Sequence, residues 1–524
     1  MSTTPEQRQG LGGMTTVASD AVDEVAPEMR LPSSILPLPT SMMSSFSSWW
    51  NLSPAQTAEA ELFLVRRSGY FKGATVGNAS ECTDDGPDAL SAAYRLVTES
   101  AKEAQPLAAG PAKYFTVGTQ CESDGKVGCI RLVDIGAPPA GTSREGVLSR
   151  LGLRHHPRKI NTLEIGTPVP RAEQDPHEQK VVLVHGYAAG LAFFYRNMQI
   201  FGSMSNSRFF ALDWLGMGRS SRPPYSLPHS KARSAERIEA AESYFLASLE
   251  QWREKMQIDK MVLVGHSLGG YLSVVYALRY PERVERLVLV SPVGIPEGSW
   301  HPGAPPEPPA QDEAVSDDAA SDYSDSSVQP PMPPRRLNTR TMSVLGWLWD
   351  RNVSIFSLLR STSFFAPWLV SGYTRRRFAN IPPEELQCMH AYCHGIFAGR
   401  GSSEYCCTSL CADPVSDILA PGAYARSPLI HRIGKLKMPT LFLYVCSVLC
   451  AARLTAGRQR LDGHPRRAGR AAAPARRRQY GIASSQDIQG RYVVRNSHTG
   501  HHLYLDNPRR FNDALTSFLL RRAP

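Results

Sequence analysis

Residues Met261 to Gly270 read MVLVGHSLGG, an apolar run that closes on the pentapeptide Gly265-His266-Ser267-Leu268-Gly269. The run suits a buried strand, and the following YLSVVYALRYPERV has helical spacing that stops at Pro281. A serine at such a junction sits on a tight turn with its hydroxyl exposed, which makes Ser267 a nucleophile candidate. Glycines flank it because a Cβ would clash there. The pentapeptide also arises by chance as a plain Gly/Ser turn; the strand before it and the helix after it favour catalysis.

A serine that attacks an ester carbonyl needs two backbone N–H groups already aimed at the oxyanion. Leu268, directly after the nucleophile, supplies one. Tyr187, in the loop that ends KVVLVHGYAAG, is the candidate for the other. His185 in the same loop reads as a structural histidine and not as a proton carrier. The serine also needs a general base within hydrogen-bond reach. The segment YVVRNSHTGHHLYLD offers His501, directly after Gly500, as that base. His502 is expected to pack against the next helix, and His498 is the weaker candidate.

These groups need a frame to hold them. Strand patterns at 181–185, 208–213, 261–265, 286–291, 439–444 and 491–495 alternate with helical ones. That alternation predicts an α/β fold, a mostly parallel sheet with helices on both faces. Asp213 ends the second of these strands and is assigned to turn chemistry. Strands near Tyr114–Val117, Cys129–Val133 and Thr162–Glu164, with a helix near Asp88–Ala104, are expected to open the sheet in antiparallel fashion.

The chain divides by composition. Residues 1–45 read as a disordered tail, 46–178 as a Trp-rich lead-in with the first strands, and 179–300 as the first part of the core. Residues 301–336 are rich in Pro, Ser and acid and are expected to be a disordered insertion. Residues 337–432 read as a helical cap and 433–524 as the second part of the core. Trp49 and Trp50 suit either a membrane interface or docking onto the body of the protein. The cap aromatics Trp347, Trp349, Phe356, Phe364, Phe365 and Trp368 are expected mostly to pack, though they offer a surface for acyl chains.

From about Lys180 onward the chain resembles the α/β-hydrolase superfamily. The resemblance rests on VVLVHGYAAG, FFALDWLGMGRSSRP, LVGHSLGGYLSVVYALRYPERVERLVLVSPVGIP, LVSGYTRRRF, APGAYARSPLIHRIGKLKMPTLFLY and GHHLYLDNPRRFN. More narrowly, these segments are similar to a branch with three kinds of member. It holds the plant and fungal lysophosphatidate acyltransferase/phospholipase proteins, the animal lipase co-activator of lipid droplets, and the fungal cardiolipin-specific deacylase. WWNLSPAQTAEAELFLV resembles that branch's lead-in more loosely.

The resemblance implies a serine lipid hydrolase acting on a phospholipid or lysophospholipid, cardiolipin among them. An acyltransferase using acyl-CoA and a non-catalytic lipase partner are its alternatives. The animal co-activator lacks the nucleophile that Ser267 supplies here. The resemblance also implies work at a membrane or lipid-droplet surface, in a mitochondrion or another intracellular site. The branch carries an H-x-x-x-x-D pattern, matched by His501 and Asp506. Asp506-Asn507-Pro508 also reads as the capped start of the last helix, and the cap is preferred.

One part of the pattern breaks. The triad acid should follow the strand MPTLFLY, which ends at Tyr444. Residues Val445 to Gln479 instead carry nine Arg and one acid, Asp462. Arg460 to Ala468 can be encoded so that the frame one base later reads Asp-Trp-Met-Asp-Ile-Arg-Gly-Gly. The branch places an Asp-Trp-Met segment here, and its first aspartate is the expected acid. Val445-Cys446 can be encoded GTATGT, the form of a fungal-type splice donor. Residues 445–480 are therefore read as a retained intron or shifted frame, which leaves the triad acid unassigned. Asp462 has no supporting context, and Glu297, after RLVLVSPVG, is the lesser alternative.

The formal charge of +10 owes most of its size to that arginine-rich stretch, so no nucleic-acid partner is inferred. The ten cysteines show no C-x-x-C spacing and are expected to be free thiols. The chemistry calls for no metal and no cofactor. No secretory signal, mitochondrial leader or membrane span is visible in the sequence.

Overall fold

The structure is a computed structural model of the 524-residue chain. It describes residues 31–71, 75–78, 86–102, 114–117, 125–138, 156–225, 228, 234–295, 339–411, 425–445, 485–486, 491–496 and 501–520. Its strands are β1 (Thr75–Asn78), β2 (Tyr114–Val117), β3 (Val127–Asp134), β4 (Lys159–Gly166), β5 (Gln179–Val184), β6 (Ser207–Leu212), β7 (Met261–His266), β8 (Val284–Val290), β9 (Thr440–Val445), β10 (Ser485–Gln486) and β11 (Arg491–Asn496). They form one sheet in the order β1-β2-β3-β4-β6-β5-β7-β8-β9-β11-β10.

Strands β1 to β4 pair antiparallel, and β4 joins β6 the same way. From β6 through β5, β7, β8 and β9 to β11 every pairing is parallel. Residues 181–184, 207–212 and 261–266 are buried without interruption. Helices cover both faces, so these strands need no alternation of apolar and polar residues.

The helices are α1 (Met42–Trp50), α2 (Pro54–Arg66), α3 (Ala89–Lys102), α4 (Met198–Ser203), α5 (Ala235–Lys255), α6 (Leu268–Arg279), α7 (Thr339–Asp350), α8 (Ile355–Ser361), α9 (Ala366–Arg377), α10 (Pro383–Ala398), α11 (Glu404–Leu410), α12 (Leu503–Asp506) and α13 (Pro508–Leu519). Helices α7 to α11 lie between β8 and β9 in the chain. The last helix starts where its sequence says it should. Asn507 caps it by accepting from Arg510 N at 3.1 Å, and Pro508 takes the first position.

One boundary needs correction. Residues 31–45, assigned by composition to a disordered tail, are ordered. Ile35 is buried, Gln56 Nε2 donates to Ser34 O at 2.7 Å, and Ser371 Oγ donates to Pro39 O at 3.0 Å. Tertiary partners on α2 and α9 hold a segment whose own composition would not fold. Helix α1 docks by one side: Ser45 Oγ donates to Phe364 O at 2.6 Å, and Phe46 meets Phe364 edge-on. Trp50 on α1 remains 72% exposed. The stretches 1–30, 301–336 and 446–484 lie outside the described residues. Among the described residues no helix is long and apolar enough to cross a membrane.

Candidate active site

Strand β7 delivers the chain to Ser267, which turns at φ 53° and ψ −117° before α6 begins at Leu268. A non-glycine residue in that region stores about 1–3 kcal/mol of backbone strain, held only where neighbours over-determine it. Three hydrogen bonds do so here. Ser267 N donates to Val290 O at 2.9 Å, while Ser267 O accepts from Tyr271 N at 3.1 Å and from Val293 N at 3.2 Å. Gly269 is required next to this turn, because a Cβ there would lie 2.5 Å from the backbone oxygen of His185.

The loop after β5 reaches the same point. A Cβ on Gly186 would stand 2.8 Å from Ser267 Cβ, so the backbone of this loop runs against the serine. Ala188 turns it back at φ 58°. Tyr187 lies between these two residues, with its ring packed on Trp349 and Phe356 of the cap at 6.1 and 5.2 Å. Leu268 occupies the first position of α6, where a backbone N–H has no acceptor within its own helix. A small cavity opens between this loop and the cap, lined by Tyr187, Ala188, Met217, Phe356 and Phe397 among others. Ser267 and His501 are not in its wall.

His501 Nε2 lies 3.0 Å from Ser267 Oγ. Burial, with the Arg377 guanidinium adding to it, pushes the His501 imidazole down to about 4. The imidazole is therefore neutral at ordinary pH and able to accept the hydroxyl proton. His266 helps to hold it: His266 Nε2 lies 3.2 Å from His501 O, and the two rings are 4.8 Å apart. Further along, Asn197 Nδ2 donates to Tyr504 O at 3.1 Å, and Tyr504 stacks on Phe194 at 4.1 Å. These contacts fix α12 and the histidine before it against the loop after β5.

The other histidines do different work. His185 is fully buried, with Nδ1 2.7 Å from Gly186 O and Nε2 accepting from Trp214 N at 3.2 Å. It is neutral, held down at about 4 by burial, and its 3.6 Å approach to Asp213 is no ion pair. His502 packs among Phe193, His266 and Phe378, and its Nδ1 is 2.6 Å from Tyr504 Oη. Asp213 serves turns, as its position suggests. It accepts from Leu191 N at 2.7 Å, Arg219 N at 2.8 Å and Asn161 Nδ2 at 2.9 Å.

Asp506 pairs with Arg377 on α9 at 3.3 Å, and the capping side chain of α13 is Asn507. Among the described residues no carboxylate bonds to His501. His498, Glu297 and Asp462 lie outside the described residues. Two residues at this site were not singled out by their sequence: His266, which holds His501, and Arg377, whose charge reaches it. His266 sits inside the pentapeptide itself, and Arg377 ends a run of three arginines in a last helical turn; only that run marks Arg377 in the sequence.

The cap aromatics divide. Trp349 and Phe356 are buried, whereas Trp347, Phe365 and Trp368 stay exposed. Among the described residues the six cysteines are buried and form no disulfide, and no group of side chains could hold a metal ion.

A family model described as an alpha/beta hydrolase fold matches residues 180–330. The chain is similar to a 1-acylglycerol-3-phosphate O-acyltransferase of Arabidopsis thaliana, 32% identical over 270 residues, which cover 50% of this chain and 54% of that one. It is similar to the (lyso)-N-acylphosphatidylethanolamine lipase of Homo sapiens, 40% identical over 136 residues, 26% of this chain and 36% of that one. The human 1-acylglycerol-3-phosphate O-acyltransferase ABHD5 is 43% identical over 118 residues, 22% and 30% of the two chains. The chain thus spans about half the length of the first relative and about a third of the others.

Proposed function

We propose that this chain, whose residues 180–330 match an alpha/beta hydrolase fold, is a serine acyl hydrolase of phospholipids or lysophospholipids. The Ser267 hydroxyl gives its proton to His501 Nε2 as Oγ bonds to the ester carbonyl carbon. The N–H groups of Leu268 and Tyr187 hold the oxyanion. Collapse expels the lipid alkoxide, which takes the proton from His501 and leaves an acyl group on Ser267. Water, deprotonated by His501, then releases the fatty acid. The reading rests on one observation: a strained serine at a strand-to-helix turn with an imidazole nitrogen 3.0 Å from its oxygen.

The lipid class follows from the names of the relatives, which handle acylglycerol phosphates and N-acylphosphatidylethanolamine. Cardiolipin is one lipid of that class. Met43, Phe46 and Trp50 on α1 and Phe365, Trp368 and Leu369 on the cap are exposed, which suits a membrane or lipid-droplet surface. A fluorophosphonate probe tests the reading. It should label the protein and fail on Ser267→Ala; no labelling of the unaltered chain would sink the hydrolase and leave a lipid-surface adaptor.

A second reading shares the acyl-enzyme. An acyl-CoA would load Ser267 and a lysophosphatidate hydroxyl would take the acyl group in place of water, as the names of two relatives suggest. Lipid mass spectrometry with and without acyl-CoA separates the two: phosphatidate formed from lysophosphatidate marks the transferase, free fatty acid the hydrolase.

A further inference from the structure

The last turn of α9 carries Arg375, Arg376 and Arg377. Arg375 and Arg376 are exposed, but the Arg377 side chain is only 20% exposed, and its charge reaches His501 and His502. Among the described residues its ion pair runs from Nη1 to Asp506 Oδ1 at 3.3 Å, long for a charge-assisted bond and engaging one nitrogen of the fork. Its other terminal nitrogen, Nη2, is buried and has no hydrogen-bond partner among those residues. A buried charged donor without an acceptor costs more than a neutral one. That nitrogen is open to an acceptor brought by a ligand.

The acceptor that fits is a phosphate. A guanidinium presents paired N–H donors whose spacing matches two phosphate oxygens, which a single carboxylate oxygen at 3.3 Å does not satisfy. We propose that Arg377 reads the phosphate of an anionic lipid headgroup, and that Asp506 occupies its place until the lipid arrives. The H-x-x-x-x-D spacing then has a physical meaning: His501 carries the proton, and Asp506, five positions on, holds the headgroup-reading arginine. This assignment rests on the acyl-hydrolase reading for its substrate, though not for the anion site itself. It makes Arg377 a specificity residue, with selectivity between phosphate-bearing and neutral esters as its signature.

The full chain tests it in two arms. In the first, kcat/KM is measured on lysophosphatidate and on the monoacylglycerol of the same acyl chain. Arg377→Gln should lower the ratio of the two at least tenfold, and Arg377→Lys, which keeps the charge but loses the fork, should fall between. An unchanged ratio overturns the proposal. In the second, the Ser267→Ala protein is titrated calorimetrically with glycerol 3-phosphate and with inorganic phosphate. Adding Arg377→Gln should weaken glycerol 3-phosphate binding tenfold or more, and adding Asp506→Asn should tighten it threefold or more. Glycerol 3-phosphate affinity that moves with neither variant overturns the site, and equal affinity for inorganic phosphate overturns the headgroup. Because the second arm needs no turnover, it decides the role of Arg377 even in a chain that fails fluorophosphonate labelling.

Discussion

His501 Nε2 and Ser267 Oγ stand 3.0 Å apart although 234 positions separate them in the chain. The sheet closes that distance. His266 is paired with Val290, and Val290 with Leu443, so β7 and β8 end beside Leu443 of β9, which runs on two residues to Val445. Strand β11 runs parallel to β9 to the same edge, and His501 follows five residues after it. With the imidazole neutral and its nitrogen on the serine oxygen, His501→Ala should slow fluorophosphonate labelling of Ser267 by about 100- to 10,000-fold, the usual contribution of a positioned base. Stopped-flow or gel-based labelling rates give the number. A rate within threefold of the unaltered chain would remove His501 from the reaction.

Much of this arrangement is legible in the residues, because parallel strands buried on both faces write themselves as apolar runs. The runs at VVLV, RFFAL and MVLVGH become β5, β6 and β7 within two residues of their expected ends. The order of the strands and the fate of single polar side chains are not legible in that way. Glu61 on α2, for instance, is fully buried and bonds Arg219 and Asn161, which lie 158 and 100 positions away. Nothing local to PAQTAEAELFLV signals that partnership. Asp506 is legible as the acid of the H-x-x-x-x-D pattern and as a helix-start acid, but its pairing with Arg377, 129 positions away, is not.

Acid should destabilise the fold well before its carboxylates titrate. Burial holds His185, His394 and His501 down at about 4 and His390 at about 3, and it holds His266 and His502 well below their ordinary value. Below pH ~6.5 the unfolded chain protonates these rings while the folded one does not, so the unfolded state binds more protons. Stability is then complete above pH ~6.5 and falls as pH drops toward 4. Glu61, raised to about 7 by burial, and Asp213, also raised by burial, act in the opposite sense, but they are two groups against six. Thermal melts from pH 7.5 to 4 should show Tm dropping steeply below 6.5; a flat Tm across that window would mean the rings are not held neutral.

Asp213 ties the loops that flank the site, and its loss should read as instability first. Its carboxylate accepts from Leu191 N, Arg219 N and Asn161 Nδ2, all buried or nearly so. Asp213→Ala strands these donors at ~1–3 kcal/mol each, a loss of about 3 kcal/mol or more. Asp213→Asn keeps one acceptor oxygen and should lose less. Urea unfolding of both variants decides it, and equal stability of the alanine variant and the parent would show that the donors find other partners.

Among the described residues no carboxylate orients His501. Leu443 of β9 lies level with the end of β7, so a residue directly after Tyr444 stands just beyond that level, on the edge of the sheet where Ser267 and His501 meet. A carboxylate there would reverse the electrostatics of the base. Burial and Arg377 now push His501 down to about 4, whereas a negative charge within reach favours its protonated form and raises it. Replacing Val445–Gln479 with the Asp-Trp-Met-Asp-Ile-Arg-Gly-Gly segment of the shifted frame should therefore do two things. It should speed labelling of Ser267 by up to about 10,000-fold, the usual cost of losing that acid run in reverse. It should also move the acid limb of the pH profile upward, toward the ordinary histidine range. The same segment with asparagine in place of its first aspartate controls for restored packing. If both segments gain equally, the aspartate is not the triad's third member.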